Sequence, residues 1–293
     1  MCAHALEPLV SVIMPVRNGA ATIGKQLEAL AAQLSPPPFE VVISDNGSTD
    51  DLLGTLAAAA KRWPQLDLRR IDSSARQGIS FARNEGIRYA RGARILICDS
   101  DDVVCADWVR SLVAGLTTYD GVGGALDERL LNAPNSPAQT YAVASLPVGL
   151  GFLPYPVGAN CGVRREVWQA LGGFNENYLL GGEEVDFYWR LQLAGYTLGF
   201  IPEAVVAYRH RTGPANILRL GFRRGIGSCQ LAAQFKAQIP PESVWKICGS
   251  WARLISRLPL LGSAERRLGY LRLAAHRVGQ VVGSLRYGVV HLA

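Results

Sequence analysis

The stretch FEVVISDNGSTDD, residues 39–51, carries an apolar strand directly into the start of a helix. The run over 39–44 is typical of a buried strand, and 45–51 forms a polar turn in which Ser48, Thr49 and Asp50 are good helix N-caps. A strand, a turn and a helix make one unit of an alternating fold. The neighbouring sequence therefore decides whether this unit repeats.

The same pattern occurs on both sides of this unit. Apolar strands are predicted over 10–14, where Pro15 ends the run, over 66–71 and over 94–99, with helices over 20–33 and 79–91. Strands that alternate with helices of this length form right-handed crossovers and a mostly parallel sheet with helices on both faces. The sequence therefore predicts an α/β fold.

Beyond residue 102 the alternation weakens. We expect the following elements in order: a helix at 106–117, a strand at 121–126, an uncharged buried loop at 141–163, helices at 164–171 and 183–195, strands at 197–201 and 204–208, and a helical tail. The last tail segment repeats apolar residues at three- and four-residue steps, which predicts one apolar stripe. Its members are Leu268, Leu271, Ala275, Val278, Val282, Leu285 and Val289.

Acidic side chains follow two of the predicted strands. Asp99, Asp101 and Asp102 come after one strand, and Asp45 with Asn46 after another. Ligands of parallel sheets bind beyond the carboxyl ends of the strands, so one rim of the sheet is the expected site. Carboxylates one residue apart suit Mg²⁺ or Mn²⁺ bound together with substrate phosphates. A capped, solvated turn is the alternative interpretation of these acids.

Composition limits the class of protein. The chain has 293 residues, 49% of them hydrophobic, as expected of a protein with a folded core. Residues 1–208 carry a net charge of −6 and 209–293 a net charge of +12. The six cysteines lack metal-finger spacing and are expected to be reduced core residues. Since neither a secretory signal nor a membrane-spanning segment is recognised, we expect a cytoplasmic protein, at the inner face of the membrane if the basic tail binds lipid.

Further acids and a histidine lie outside these strand ends. Glu183, Glu184 and Asp186 crowd the start of one helix, where its dipole would keep a general base ionised or would simply stabilise the acids. His210 follows the last predicted strand and is a candidate metal ligand or phosphate contact, although a solvated loop histidine is the commoner case.

Six segments in order resemble the family-two glycosyltransferases, inverting enzymes of the GT-A fold. They are SVIMPVRNGAATI, VVISDNGSTDD, GISFARNEGIRYARG, ILICDSDDVV, GANCGVRREVWQALGGFNE and GGEEVDFYWRLQLAGY. The resemblance covers about 9–212, so we expect a catalytic domain over 1–212 and a basic helical extension over 213–293. It implies transfer of one sugar from a nucleoside-diphosphate sugar to an acceptor hydroxyl, in glycan, surface-polysaccharide or glycolipid synthesis.

The resemblance also assigns roles position by position. It implies that Asp99 and Asp101 bind Mn²⁺ or Mg²⁺, with His210 as a further candidate, and that Glu184 is the base, with Glu183 or Asp186 as alternatives. For the acceptor pocket the candidates are Asn160, Tyr155 and Trp189, with Tyr141 and Phe152 also available to stack on sugar rings. Residues expected to contact the nucleotide sugar are Pro15, Arg17, Asn18, Asp45, Asn46, Arg83, Asn84, Asp99 and Ser100.

Two positions depart from the family pattern, and two rival functions stay open. Asn46 replaces a second acid, and Glu184 replaces an expected aspartate. The rivals are a nucleotidyltransferase, disfavoured because no glycine-rich phosphate loop follows the first strand, and a non-catalytic nucleotide- or carbohydrate-binding module. The tail has three interpretations: a lid on the catalytic domain, a homodimer surface, or a peripheral membrane contact that would serve a lipid-linked acceptor. Nucleic acid is not expected as a partner.

Overall fold

A computed structural model describes residues 10–132, 145–210, 213–240, 242–256, 262 and 264–292, with the side chains of 264–266 left out. Tyr141, predicted to be available for stacking on sugar rings, therefore lies outside the described residues. The strands are Val10–Val16 (β1), Phe39–Asp45 (β2), Asp67–Asp72 (β3), Arg94–Cys98 (β4), Val103–Val104 (β5), Gly121–Asp127 (β6), Val148–Gly149 (β7), Leu153–Pro154 (β8), Asn160–Arg164 (β9) and Leu198–Ala207 (β10). The helices are Ile23–Ala31 (α1), Leu52–Arg62 (α2), Ile79–Tyr89 (α3), Trp108–Thr118 (α4), Arg165–Ala170 (α5), Glu183–Leu193 (α6), Pro214–Gln234 (α7), Val244–Ser256 (α8) and Ala264–Tyr287 (α9).

Within the described residues, the strands form an eight-stranded sheet of order β3-β2-β1-β4-β9-β6-β10-β5. The first four strands are parallel, β10 is parallel to β6, and β9 runs antiparallel between β4 and β6. The mostly parallel sheet predicted from the alternation is confirmed. Because β1, β2 and β4 point the same way, their carboxyl ends share one rim.

Helices cover both faces because side chains alternate along each strand. Val12 and Met14 of β1 join one apolar cluster with α1, α2 and α4, whereas Ile13 joins another with α3, α5 and α6. The residues that the central strands contribute to both clusters are fully buried. Burial of this apolar surface holds the sheet between its helices.

Several boundaries differ from the sequence expectations. Pro15 lies inside β1 rather than ending it, and there β1 is paired with β2 but no longer with β4. The N-cap of α2 is Asp51, which accepts a hydrogen bond from the Gly54 N–H. The two strands expected at 197–208 are one strand, β10, with a register shift between Ile201 and Val205.

The larger difference is β9, which lies inside the segment expected to be a loop. Asn160–Arg164 is inserted in the middle of the sheet, and four of its five residues are buried. A five-residue strand that is buried on both faces has no polar alternation to reveal it. The prediction of a loop over 141–163 is therefore wrong at its end.

The helical tail packs against the α/β part through α7. Leu231 of this helix and Phe235, which follows it, contact Tyr178, Val185 and Trp189 in one buried cluster. Helix α7 is thus folded against the α/β part. The domain boundary at 212 stays a prediction. In the described part of the chain, no helix is long and apolar enough to cross a membrane.

Helices α7 and α9 approach closely because glycines line their contact. A Cβ on Gly225 would lie 2.1 Å from the His276 carbonyl oxygen, and one on Gly279 would lie 2.1 Å from the Phe222 carbonyl oxygen. The predicted apolar stripe of α9 is not its packing face. Four of its members stay 40–82% exposed, namely Leu271, Val278, Val282 and Leu285.

Candidate active site

The acids after β4 form a compact cluster at the shared rim. One oxygen from each of Asp99, Asp101 and Asp102 lies within 4.8 Å of the others. The side-chain amide of Gln26 donates to the Asp99 carbonyl at 3.1 Å, and its oxygen accepts from the Val104 N–H at 2.9 Å. Gln26 thereby fixes the turn that carries the acids, a role that the helical pattern around it did not predict.

Asp102 is the innermost member of this cluster. It is 1% exposed, and one of its oxygens accepts a 2.7 Å hydrogen bond from the Arg209 backbone N–H. Its other oxygen has no hydrogen-bond partner among the described residues. Burial, together with the charges of Asp99 and Asp101, raises the pKa of Asp102 to about 9.

These features fit a divalent cation. Three carboxylates offer hard oxygen ligands at one place, and one buried oxygen is left without a donor. A cation would offset both the repulsion and the desolvation. His210 does not belong to the cluster, and its Nε2 lies 3.5 Å from a carboxylate oxygen of Glu128.

Arg83 links this cluster to the start of α6. Its guanidinium is 2% exposed in side chain and lies 3.0 Å from Glu183 and 4.0 Å from Asp99. A Cβ on Gly158 would lie 2.4 Å from one of its nitrogens, so only glycine fits beside it. The sequence predicted a nucleotide contact for Arg83; the structure places it as the bridge between two groups of acids.

The two glutamates at the start of α6 differ in their surroundings. Gly182, at the N-cap, has φ 97°, which favours glycine and turns the chain so that both glutamates lie in the first helical turn. Glu183 is buried and paired with Arg83. Burial and then the Glu184 charge raise the pKa of Glu183 to about 8, against the opposing effect of Arg83.

Glu184 is more exposed than Glu183 and lines a cavity of about 950 Å³. One of its oxygens has no hydrogen-bond partner among the described residues. Asp186 is different: it is fully buried, accepts two hydrogen bonds from Arg190 and is also hydrogen-bonded by Gln234. Of the three acids predicted as candidates for the base, Glu184 is the least buried residue, although one of its carboxylate oxygens is itself buried.

The residues expected around the nucleotide lie at the ends of β1 and β2. Arg17 and Asn18 are exposed, and the Asn18 side chain accepts from the Thr49 N–H at 2.8 Å. Asp45 is 3% exposed and accepts from Arg70 at 2.7 Å. Although burial raises its pKa, hydrogen bonds from Ser48 and Arg70 lower it overall, so Asp45 is an anion.

Two predicted nucleotide contacts instead hold protein loops. Asn46 donates to the carbonyls of Ser73 and Arg76 and accepts from the Gly78 N–H. Asn84 donates to the Phe174 carbonyl at 2.8 Å and is 2% exposed. Their amides are occupied by the chain itself and position the loops around the rim.

Two of the predicted acceptor contacts are also buried. Asn160 is 0% exposed; it accepts from the Trp108 indole N–H at 2.8 Å and donates to two backbone carbonyls. Trp189 is 0% exposed and donates to the Leu153 carbonyl. Neither side chain reaches a surface that an acceptor could contact. Tyr155 does line the cavity beside Glu184.

Solved structures share this architecture. A mannosyltransferase from Pyrobaculum calidifontis, PcManGT, solved in complex with GDP-Man and Mn²⁺, aligns with a TM-score of 0.68 at 20% identity and covers 94% of this chain and 87% of its own. TarS 1–349 from S. aureus, solved with UDP-GlcNAc, aligns with a TM-score of 0.55 at 20% identity over 96% of this chain and 92% of its own. These likenesses establish a GT-A fold.

Sequence relatives point to one family. The glycosyltransferase AglE of Haloferax volcanii is 29% identical over 76% of this chain and 74% of its own length. A pre-mycofactocin glycosyltransferase of Mycobacterium tuberculosis is 25% identical over 94% of this chain, which spans 58% of that relative. The model of glycosyl transferase family 2 matches residues 11–171, and that of glycosyl transferase family group 2 matches 94–273. The chain therefore belongs to glycosyl transferase family 2.

Proposed function

We propose that the chain transfers one sugar from a nucleoside-diphosphate sugar to an acceptor hydroxyl, with inversion at the anomeric carbon. The observation that carries this proposal is the meeting of two acidic groups at one rim, a candidate cation site at Asp99–Asp102 and the start of α6 with Glu183 and Glu184. Arg83 approaches Asp99 of the first group and Glu183 of the second. A group that could bind phosphate through a cation and a group that could remove a proton are thus adjacent.

Asp99 and Asp101 would hold Mn²⁺ or Mg²⁺, and the buried Asp102 would support them from behind. When bound, such a cation neutralises the charge that develops on a departing diphosphate. Gln26 and the Arg209 backbone hold the acidic turn in place, and the Arg209 guanidinium donates to the Asp101 carbonyl at 2.8 Å. A neighbouring fold was solved with Mn²⁺, which supports this choice of cation.

Glu184 would act as the base. Its carboxylate takes the proton of the acceptor hydroxyl as that oxygen bonds to the anomeric carbon, while the bond from this carbon to the diphosphate oxygen breaks. Glu183 is ion-paired with Arg83, so Glu184 is the glutamate that would contact the acceptor.

The nucleoside would lie over the ends of β1 and β2. Pro15, Arg17, Asn18 and Asp45 would line its pocket, with Ser100 near the diphosphate, while Asn46 and Asn84 would act as positioning residues for the loops beside it. Relatives solved with GDP-Man and with UDP-GlcNAc use different bases and sugars. The donor of this chain is therefore proposed only as a nucleoside-diphosphate sugar.

The biological setting remains a set of predictions. These are glycan, surface-polysaccharide or glycolipid synthesis in the cytoplasm, a sugar or lipid-linked acceptor, and either a membrane contact or a homodimer through the tail. The exposed apolar side chains of α8 and α9, such as Trp245 and Leu285, support a surface contact of one of these kinds.

The proposal is tested with a panel of nucleotide sugars. We expect at least one of them to raise the melting temperature when Mn²⁺ is present and not in EDTA, because a ligand that binds only the folded state stabilises it. The same donor should be hydrolysed slowly to the nucleoside diphosphate. Stabilisation without metal and without turnover would instead support a binding module, and pyrophosphate release from a nucleoside triphosphate would support a nucleotidyltransferase.

The base is tested by Glu184→Gln. The amide cannot take a proton, so we expect kcat to fall by about 10²–10⁴-fold while the affinity for the donor stays the same. Glu166→Gln is the matched control, since Glu166 is an exposed acid in the first turn of α5. Equal activities of the two variants would exclude Glu184 as the base.

A further inference from the structure

The cavity beside Glu184 has one strongly basic wall. Arg219, Arg223 and Arg224 line it from α7, and Arg272 lines it from α9. Helix α7 itself contains no aspartate or glutamate, and the described acids in the lining of the cavity are Glu183 and Glu184. Four guanidinium groups thus lie around one space beside the proposed base.

The cavity meets the catalytic rim at the start of α6 and at Gly78. Its lining includes Glu183 and Glu184 but none of the residues proposed to hold the cation or the nucleoside, such as Asp45, Asp99 or Asp101. A molecule in this space would therefore approach Glu184 from the side away from the donor. That is the position an acceptor needs for attack on the anomeric carbon.

A histidine, His276, also lines this cavity, and its imidazole is neutral. Burial together with the charges of Arg277 and Arg224 lowers the pKa of this imidazole to about 4. The histidine is therefore neutral at physiological pH, and the arginines supply the charge. The Arg223 guanidinium donates to the Leu179 carbonyl at 2.5 Å, which orients it at the edge of the cavity.

We propose that this cavity binds the acceptor and that the arginines of α7 and α9 recognise a phosphate or diphosphate group on it. Guanidinium groups bind phosphate oxygens through paired hydrogen bonds, and a phosphate offers enough oxygens for more than one guanidinium to bind it at the same time. Apolar residues of the same lining, including Leu180 and Leu273, would contact the uncharged part of the acceptor. The inference rests on the proposed transferase function and adds the class of its acceptor.

The first measurement uses inorganic phosphate as the probe, with EDTA present so that no cation occupies the donor site. Isothermal titration should show phosphate binding more tightly than acetate. The double variant Arg219→Gln/Arg223→Gln removes two exposed charges of the wall and should weaken phosphate binding at least fivefold. Arg253→Gln/Arg286→Gln removes the same charge from exposed positions outside the cavity and should change it less than twofold.

A second measurement separates acceptor from donor. Affinity for the nucleoside diphosphate in Mn²⁺, and the slow hydrolysis of the donor, should be equal in both double variants. Equal phosphate binding in the two variants overturns the inference, and a parallel loss of nucleoside-diphosphate affinity assigns the arginines to the donor instead. If the wild type neither binds nor hydrolyses any donor, the transferase proposal fails whatever phosphate does. Should the cavity double variant misfold, Arg219→Gln alone must still weaken phosphate binding at least twofold.

Discussion

Buried carboxylates occur at both edges of the sheet, and their surroundings are opposite. At the amino edge, Glu40 is 0% exposed and accepts hydrogen bonds from Ser11 at 2.7 Å, Arg69 at 2.7 Å and Arg91 at 2.9 Å. At the carboxyl edge, Asp102 is 1% exposed and has one donor, the Arg209 N–H, with two further carboxylates beside it. Burial is the same in both places.

The pKa values of these two acids move in opposite directions. Burial would raise the pKa of Glu40, but hydrogen bonds from the Arg91 backbone N–H, Ser11 and Arg69 lower it overall. Asp102 lacks such donors and faces like charges, so its pKa rises to about 9. Two equally buried carboxylates can thus differ in pKa because of the number of hydrogen-bond donors around them. The carboxylate with several donors stabilises the fold, whereas the one with few donors is a candidate ligand site.

The largest effect that the comparison predicts is at Asp101. Asp101→Asn removes a proposed cation ligand and one of the charges that repel Asp102, so we expect kcat to fall by about 10³-fold or more while the melting temperature stays equal or rises. Donor turnover in Mn²⁺ and thermal unfolding measure the two quantities. Unchanged turnover would show that the carboxyl edge is an ordinary polar turn.

Glu40→Gln should lower the stability and leave the activity unchanged, which is the converse of the result expected for Asp101→Asn. Removing the charge leaves Arg69 and Arg91 beside a buried neutral amide, so the free energy of unfolding should fall by about 3 kcal/mol, or roughly 150-fold in the folding equilibrium. Activity per folded molecule should not change, because Glu40 lies at the opposite edge from the site. Chemical denaturation and turnover test this pair of outcomes, and a loss of kcat without a loss of stability would contradict the comparison.

The sequence predicts which edge carries the site but not which polar residues belong to it. Strands β1, β2 and β4 follow from their apolar runs, and the shared rim follows from their parallel pairing. Asn46, Asn84 and Asn160 were expected to contact ligands, yet each amide is satisfied by the chain. An amide can pair equally well with a ligand or with a backbone carbonyl, and only the fold decides between them.

Contacts between residues far apart in the chain could not be predicted from the sequence. Arg83 and Glu183 are 100 residues apart in the chain and 3.0 Å apart in the structure. The basic wall of the cavity likewise brings α7 together with α9, which the close approach of glycines permits. Neither contact has a local pattern, so both required the tertiary structure.

The smallest predicted effect is a pH dependence of the stability at the amino edge. Because the pKa of Glu40 is lowered by folding, its stabilisation is fully present above the usual value of 4.5 and is lost as pH falls through the lower folded value. The difference in unfolding free energy between wild type and Glu40→Gln should therefore be constant from about pH 6 to about pH 8 and should shrink below pH 4.5.

Asp102 gives the opposite slope and completes the comparison. Its pKa is raised to about 9, so the folded state keeps a proton that the unfolded chain loses above the usual value of 3.8, and stability decreases as pH rises between these two values. Asp102→Asn, measured in EDTA, should therefore become more stable relative to the wild type as pH rises. Over the same pH range Glu40→Gln should show its full loss of unfolding free energy. Denaturation curves of the two variants at acidic and at neutral pH should diverge, and parallel curves would mean that donors and like charges do not set the difference between the edges.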